Sequence, residues 1–423
     1  MASSRLMELT EIISANTKKI NDFFHAEGIQ GLSFDVNAPT DFPVPSSNVE
    51  IQAARRAVVN ATQELRDLMV GPRETVRWLA WSYNDNLSLQ ALYEFKIAQA
   101  VPTDGDVSYA DIAVATGLDE TNAKRLIRHA MTNRIFTEPR PGYVAHTAAS
   151  RVLRDDPSMV DWVGVCSSEF YQASAKTVEA LRKFPNSQEA NEAGYAEYWC
   201  PGKPMFAVMG ADPVRAKRFG GAMVSLTGGE GYEPQYLVDN YDWEGLGEAT
   251  VVDVGGSFGF ICVALAKKYP KLKFVVQDLP KVVANGPEKI PPEFADRIKF
   301  EAHDFYTEQT QKGADVFFFR WICHNQSDKY GVKMLKALIP ALKPGARIVI
   351  SDNCLKPVGE LDMWDEKITR SMDLTMLSLL NAKERDVPDW IHLFAQADPR
   401  FKFLGAKTPE GSRMSIMEAV WEG

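Results

Sequence analysis

The 423-residue sequence contains few cysteines, and their spacing argues against several kinds of site. The five cysteines are odd in number and form no CxxC pair or Cys/His cluster at the spacing of metal ligands. This pattern is typical of buried thiols in a reducing compartment. We therefore expect neither a disulfide framework nor a metal site.

The sequence also lacks a long hydrophobic run and an excess of positive charge. No uncharged apolar stretch reaches the ~18 residues that a membrane-spanning helix needs, and the first residues contain no signal-peptide core. With 47 Lys and Arg against 56 Asp and Glu, the net charge is −9, so the bulk surface repels nucleic acid and anionic lipid. We expect a soluble, cytoplasmic protein without a membrane or nucleic-acid partner.

The length and composition are those of a globular chain of two to three domains, with 45% hydrophobic and 24% charged residues. Changes in residue pattern predict four regions. These are a helical dimerisation region at 1–84, a winged-helix domain at 85–156, a helical linker and pocket region at 157–240, and an α/β domain at 241–423. The third region is rich in aromatic residues and methionine, which suits either a core or an apolar ligand pocket.

The first region has more apolar surface than short helices normally expose. Helical spacing predicts helices at 6–24, 49–70 and 73–83, with an extended, proline-containing connection at 32–48. The helix at 73–83 carries Trp78 and Trp81. Two interpretations stay open, packing against the chain's own larger domain and packing in a homodimer interface, and we favour the homodimer.

Residues 88–147 have the order helix, helix, helix, hairpin, which is typical of a winged helix-turn-helix. Its third helix carries Lys124, Arg125 and Arg128, so DNA binding is one hypothesis. However, residues 88–156 contain 8 Lys and Arg against 9 Asp and Glu. A protein that reads duplex DNA normally carries a clear positive charge, which makes this the weaker hypothesis.

From residue 249 onward, strand-like runs alternate with helical stretches. The runs lie at 249–254, 273–278, 298–304, 314–321, 346–352, 401–407 and 413–421. This alternation predicts a parallel sheet with helices on both faces. Only TPEGS separates the last two runs, so they should form an antiparallel hairpin, which is how methyltransferase folds end.

Three strand ends carry groups that suit an adenosine-containing ligand without phosphates. The first strand leads into the glycine turn DVGGSFG, which is neither GxGxxG nor GxxxxGK[ST]. Asp278 ends the second strand, where a carboxylate can bind both hydroxyls of a ribose. Asp304 and Phe305 end the third, where they offer a carboxylate to an adenine amino group and a ring to its face.

The motifs VVDVGGSFGF, KFVVQDLPKVV, HDFY, FFFRWICHNQSD and NAKERD occur in that order. On these motifs the chain resembles the plant and fungal small-molecule O-methyltransferases that depend on S-adenosylmethionine, and most of all the fungal secondary-metabolite members. The resemblance implies a Rossmann-like class I methyltransferase domain, preceded by a helical dimerisation region and a winged helix. It also implies a homodimer, a substrate pocket between the domains, S-adenosylhomocysteine as product, and no metal.

The resemblance further implies roles for particular residues. Those implied at the cofactor are Gly255, Gly256, Asp278, Asp304, Phe305 and Arg320. His324 stands at the position of the general base, with Asp352 and Glu384 as the carboxylates beside it. The acceptor would contact Phe219, Met223, Met376 and Leu379. Their apolar character favours an aromatic or polyketide-like small molecule.

Two positions depart from the family pattern. Asn325 and Gln326 follow the histidine, where family members commonly have Asp and an aromatic residue. A few fungal members bind the cofactor yet catalyse dehydrations or pericyclic rearrangements, and this is the alternative function. Because His324 is retained, we favour methyl transfer.

Overall fold

The computed structural model describes residues 4–423, which divide into two compact units. The first contains the described residues up to Gln172, together with Met209–Leu226 and Asp362–Trp364. The second contains Ala173–Val208, Thr227–Leu361 and Asp365–Gly423. Each unit is thus built from segments that are separated in the sequence.

The first unit is mostly helical, with a small antiparallel sheet. Its helices include α1 (Arg5–Glu27), α2 (Val49–Val70), α3 (Pro72–Leu79), α4 (Tyr83–Glu94), α5 (Ile97–Ala100), α6 (Tyr109–Thr116), α7 (Glu120–Met131), α8 (Ala148–Asp155) and α9 (Pro157–Val165). A π-helical segment at Cys166–Phe170 follows. Strand β3 (Tyr143–Ala145) pairs with β1 (Val107–Ser108) and with β2 (Thr137–Arg140).

The hairpin and the helices predicted for 88–147 are present, although the first of these helices is broken at Lys96. Ser108 Oγ accepts the N–H of Asp111 at the start of α6, and Asp119 accepts the N–H of Asn122 at the start of α7. Strand β1 adds a third strand that the sequence pattern did not indicate. The assignment of this region as a winged helix stays a prediction.

Two predicted helices are interrupted in the structure. Helix α3 ends at Leu79 and α4 begins at Tyr83, because the N–H of Trp81 bonds to the carbonyl of Trp78 in a tight turn. The helix predicted through LQALYEFKIAQAV breaks at Lys96, which adopts a φ of +51°, and continues as α5.

Further helices follow along the chain. They are α10 (Tyr171–Lys183), α11 (Gly194–Trp199), α12 (Met205–Gly210), α13 (Pro213–Thr227), α14 (Pro234–Asn240), α15 (Phe260–Lys268), α16 (Pro280–Val283), α17 (Asp328–Leu338), α18 (Met363–Leu380) and α19 (Val387–Ala397). Short 3-10 turns lie at Ala190–Glu192, Glu244–Leu246, Pro287–Lys289, Pro292–Phe294, Cys323–Asn325 and Ile339–Ala341. No helix among residues 4–423 is long and apolar enough to cross a membrane.

The second unit contains a seven-stranded sheet. Its strands are β4 (Thr250–Val254), β5 (Lys273–Asp278), β6 (Ile298–Ala302), β7 (Val316–Arg320), β8 (Arg347–Asp352), β11 (Phe401–Lys407) and β12 (Ser415–Trp421). Their order is β11-β12-β8-β7-β4-β5-β6, and β12 is the one strand that runs antiparallel to the other six. The predicted parallel sheet and terminal hairpin are confirmed. A separate parallel pair, β9 (Cys354–Leu355) with β10 (Arg385–Asp386), was not predicted.

The central strands are apolar on both sides because helices cover both faces of the sheet. Val252 and Phe317 belong to one core cluster, and their sequence neighbours Val251 and Val316 belong to the other. Strand order reverses between β4 and β7, which are neighbours in the sheet. The carboxyl ends beside such a reversal are where open α/β sheets hold ligands.

Candidate active site

The glycine turn after β4 closes tightly onto the next strand. The N–H groups of Gly255 and Gly256 donate to the carbonyl of Gln277, at 2.7 and 3.1 Å. A Cβ on Gly255 would lie 2.5 Å from Ile322 Cδ1, and one on Gly256 would lie 2.5 Å from the Asp253 carboxyl carbon. Gly255 also has a φ of +77°, so glycine is required there.

Asp278, the last residue of β5, is bound to this turn. Its Oδ2 accepts the N–H of Ser257 at 2.9 Å, and its Oδ1 accepts the N–H of Leu279 at 2.7 Å. Burial raises the pKa of its carboxyl. Since a carboxylate has about four acceptor sites, both oxygens can accept a further hydrogen bond, as a pair of ribose hydroxyls requires.

The loop after β6 places Asp304 and Phe305 beside Asp278. The N–H of His303 donates to the carbonyl of Asp278 at 3.0 Å, which fixes the start of the loop. Asp304 is exposed, with one oxygen accepting the N–H of Tyr306 at 3.0 Å. The Phe305 and Tyr306 rings meet edge to face at 4.8 Å. The structure thus brings the predicted ribose and adenine residues to one edge.

Arg320 ends β7 and is largely buried. Its Nη2 donates to the carbonyl of Tyr232 at 2.6 Å and lies 3.3 Å from Met414 Sδ. Burial lowers the pKa of the guanidinium to about 10. Nε and Nη1 have no hydrogen-bond partner among the described residues. Part of this buried cation is therefore held by the protein and part is left unpaired.

His324 lies in the 3-10 turn after β7, between two carboxylates. Its Nδ1 is 2.8 Å from Glu384 Oε1, and its backbone N–H donates to Asp352 Oδ2 at 3.1 Å. Asp352 ends β8, whereas Glu384 directly precedes β10. The pairing of β10 with β9 carries Glu384 to the histidine across 60 residues of sequence.

The three side chains are buried, and burial together with neighbouring charge shifts the pKa values of His324 and Asp352. Burial alone would lower the pKa of His324, but the carboxylates of Glu384 and Asp352 outweigh it and raise the pKa above its ordinary value. Burial raises the pKa of Asp352 to about 6. Because Nδ1–H donates to Glu384, Nε2 is the nitrogen that can accept a proton.

Three supporting residues were missed by the sequence analysis. Asn353 Nδ2 donates to Glu384 Oε1 at 3.2 Å. Buried Arg385 holds the histidine turn by donating to the carbonyl of Cys323 at 2.9 Å. The Trp321 ring lies 4.9 Å from the His324 ring, and the backbone of Trp321 has a φ of +58°. Asn353 and Arg385 directly follow the predicted carboxylates, and this adjacency was the available signal.

The two departures from the family pattern both take part in local hydrogen bonds. Asn325 Nδ2 donates to the carbonyl of Trp321 at 2.8 Å, which secures the left-handed conformation there. Gln326 Oε1 accepts the hydroxyl of Tyr306, in the loop that carries Phe305. These amides therefore support the histidine turn and the loop that carries Asp304 and Phe305.

The four predicted acceptor residues lie on two helices. Phe219 and Met223 are half-buried on α13, in the first unit, one helical turn apart. Met376 and Leu379 are buried on α18, in the second unit. The contact of these four residues with an acceptor stays a prediction.

The basic residues behind the DNA hypothesis lie on α7. Arg128 makes a two-pronged ion pair with Glu138, at 2.8 and 2.7 Å. The guanidinium charge is therefore already compensated inside the first unit. Separately, no group of three His, Cys, Asp or Glu side chains within residues 4–423 could hold a metal ion.

Comparison with known proteins bears on this arrangement. Residues 186–399 match the family model of the O-methyltransferase domain. The chain is 46% identical to chlorophenol O-methyltransferase of Trichoderma longibrachiatum, covering 100% of this chain and 91% of that protein. It is 40% identical to O-methyltransferase AMT9 of Alternaria alternata, covering 99% and 98%, respectively. It is 38% identical to the grayanic acid biosynthesis cluster O-methyltransferase of Cladonia grayi, covering 99% and 88%.

Solved structures share the architecture. The crystal structure of OxaC has a TM-score of 0.78 at 21% identity and covers 98% of both chains. OxaC in complex with SAH and oxaline has a TM-score of 0.75 at 21% identity, covering 99% of this chain and 100% of that one. The LepI complex with SAM has a TM-score of 0.71 at 19% identity, covering 97% and 99%. At these identities the likeness establishes the fold.

Proposed function

The chain belongs to the family of S-adenosylmethionine-dependent O-methyltransferases, and from that premise we propose that it methylates a hydroxyl of an aromatic or polyketide-like small molecule, with His324 as the general base. The observation that carries the proposal is the contact of His324 Nδ1 with Glu384 Oε1 at the carboxyl edge of the sheet. A histidine held in this way has a defined nitrogen, Nε2, with which to take the proton of the acceptor.

The residues at this edge fit S-adenosylmethionine. A Cβ on Gly255 or Gly256 would collide with the side chains of Ile322, Asp253 and Val276, so glycine lets the turn pack this closely at the carboxyl edge of the sheet. We propose that Gly255 and Gly256 line the cofactor, that Asp278 binds its ribose hydroxyls, and that Asp304 and Phe305 contact its adenine. Bound there, S-adenosylmethionine supplies an electrophilic methyl group.

Arg320 fits a polar part of the same ligand. A buried cation with two unpaired donors needs an acceptor, because leaving such donors unpaired costs free energy. We propose that the cofactor provides that acceptor. The bond from Nη2 to Tyr232 would hold the guanidinium in place while it does so.

His324 would take the acceptor proton as the oxygen attacks the methyl group. An ordinary imidazole, of pKa ~6.5, is a weak base for a phenol of pKa ~10. Here Glu384 raises the basicity of the ring and stabilises the imidazolium that forms. Asp352 holds the backbone of the histidine and contributes to the same stabilisation.

The acceptor class rests on chemistry and on relatives. The four predicted acceptor residues, Phe219, Met223, Met376 and Leu379, are all apolar, which favours an acceptor with an apolar body. One relative is named for chlorophenol and another for a grayanic acid cluster. Aromatic hydroxyl compounds are therefore the substrates to test first.

The test is incubation with labelled S-adenosylmethionine and a panel of phenols, including a chlorophenol, followed by mass spectrometry. We expect one acceptor to gain the mass of one labelled methyl group, in an amount equal to the S-adenosylhomocysteine formed. The proposal fails if the protein binds S-adenosylhomocysteine but methylates no acceptor in a broad panel of aromatic and polyketide hydroxyl compounds.

We also propose a cytoplasmic homodimer formed through region 1–84. The support for the dimer is apolar surface around α3, where Trp78 is 55% and Trp81 59% exposed in the single chain. Contiguous exposed apolar patches mark protein contacts, and homodimers are the commonest assemblies. The support for a cytoplasmic location is that the five cysteines are free thiols.

A further inference from the structure

Two buried glutamine side chains in the second unit form a reciprocal pair. Nε2 of Gln277 donates to Oε1 of Gln309 at 2.8 Å, and Nε2 of Gln309 donates to Oε1 of Gln277 at 2.9 Å. Each residue is 1% exposed. A buried amide is costly unless its groups are bonded, so each residue stabilises the position of the other.

The backbone of Gln277 connects the glycine turn with Asp278, the proposed ribose residue. Its carbonyl is the shared acceptor of the Gly255 and Gly256 N–H groups, and Asp278 is the next residue. A shift of Gln277 would therefore move the turn and the ribose carboxylate together.

Gln309 lies at the other end of the loop that carries Asp304 and Phe305. Its backbone N–H donates to the carbonyl of Ala337 on α17 at 3.0 Å, and its Oε1 also accepts the N–H of Gln311 at 3.0 Å. Gln309 is thus fixed to a helix and to its own loop. Through Gln277 it is also fixed to β5.

We propose that Gln277 and Gln309 are a positioning pair for the adenosine half of the cofactor. The pair sets the separation between two parts of the site, Asp278 on β5 and the loop of Asp304 and Phe305. Neither glutamine side chain needs to touch the ligand. By ordering the loop before binding, the pair lowers the entropy that binding would otherwise cost. This inference rests on the proposed cofactor site.

The test is Gln309→Asn, which keeps an amide but is one methylene too short to make both bonds. We expect the Kd for S-adenosylhomocysteine to rise about tenfold, by calorimetry. In steady-state kinetics the KM for S-adenosylmethionine should rise while kcat at saturation stays near wild type, because His324 is untouched. Gln277→Asn should behave alike. The effect of the double variant should fall well short of the product of the two single effects, since the two reciprocal bonds are already lost in either single variant.

A matched control separates positioning from general stability. Asp315 precedes β7 at the opposite edge of the sheet, where its Oδ2 accepts the N–H of Thr250 at 2.7 Å. Asp315→Ala should lower the melting temperature to an extent similar to Gln309→Asn and leave the Kd unchanged. If both variants changed the Kd equally, the glutamine pair would contribute only to the general stability of the protein, and the inference would be overturned.

Asp278→Ala distinguishes failure of this inference from failure of the cofactor site itself. If Asp278→Ala weakens binding and Gln309→Asn does not, the site stands and the positioning role is wrong. If neither variant weakens binding, the proposed site is wrong as well. Effects of the two single glutamine variants that multiply in the double variant would also overturn the pairing.

Discussion

His324 Nδ1 and Glu384 Oε1 lie 2.8 Å apart in a buried setting, although 60 residues separate them in the sequence. The contact depends on the short parallel pair of β9 and β10, which sets Arg385 opposite Cys354. Because both groups are buried, the Glu384 carboxylate fixes the orientation of the His324 ring and places a negative charge beside it.

Replacing His324 should damage turnover and spare cofactor binding. In His324→Ala we expect kcat to fall ~10²–10⁴-fold, the usual contribution of a positioned general base. Affinity for S-adenosylhomocysteine, by calorimetry, should stay near wild type because the imidazole is assigned to the acceptor. Glu384→Gln should lose less activity, since it keeps the shape and removes an orienting charge. His392, an exposed histidine of the same unit, provides the control variant His392→Ala, which should be fully active.

The pH dependence of turnover tests the electrostatics of the same pair. The base must be unprotonated at Nε2, so activity falls as the pH drops through the pKa of His324. Because Glu384 and Asp352 raise that pKa, the acidic limb of the kcat profile should lie above the ordinary histidine value of ~6.5. In Glu384→Gln the limb should move to lower pH. An unchanged limb in that variant would show that Glu384 does not set the basicity.

Much of the fold can be predicted from local sequence pattern, whereas the pairing of His324 with Glu384 cannot. Apolar runs such as KFVVQD predict buried strands. Only five residues separate the last two runs, so a hairpin is the connection that fits between them. Strands β9 and β10 are two residues each, too short to carry any periodicity, and so the approach of Glu384 to His324 came only from the family resemblance. The helix break at Lys96 could not be predicted either, because the positive φ of a non-glycine residue depends on its tertiary surroundings.

Asp278 should control affinity for the cofactor. Asp278→Ala removes charged hydrogen bonds to the ribose worth about 1.5–3 kcal/mol, so calorimetry should show S-adenosylhomocysteine binding weakened ~10-fold or more. Asp296 is an exposed carboxylate near the amino end of β6, at the other edge of the sheet. Asp296→Ala should bind normally, and an equal loss in both variants would point to net charge as the cause.

The exposed aromatic surface around α3 should be an interface between two copies of the chain. Light scattering coupled to gel filtration should give twice the chain mass for the wild type. Trp78→Lys, which puts a charge into that surface, should shift the protein toward monomer, and deletion of residues 1–24 should lower its solubility. Val114 is 86% exposed on α6, and Val114→Lys should stay dimeric. A fully active, soluble monomer after the deletion would contradict the proposal.

The stoichiometry of the by-product separates methyl transfer from the alternative of non-methylating catalysis. Methyl transfer consumes one S-adenosylmethionine for each product molecule, so S-adenosylhomocysteine should accumulate in a 1:1 ratio to product throughout the reaction. A catalyst of rearrangement or dehydration would convert substrate while the cofactor stays intact. No S-adenosylhomocysteine would then accumulate, either with the wild type or with His324→Ala. Both species can be quantified in one chromatographic run with labelled cofactor. Full substrate conversion with a ratio near zero would replace methyl transfer by the alternative, and the buried His324 and Glu384 pair would then serve a proton transfer of another kind.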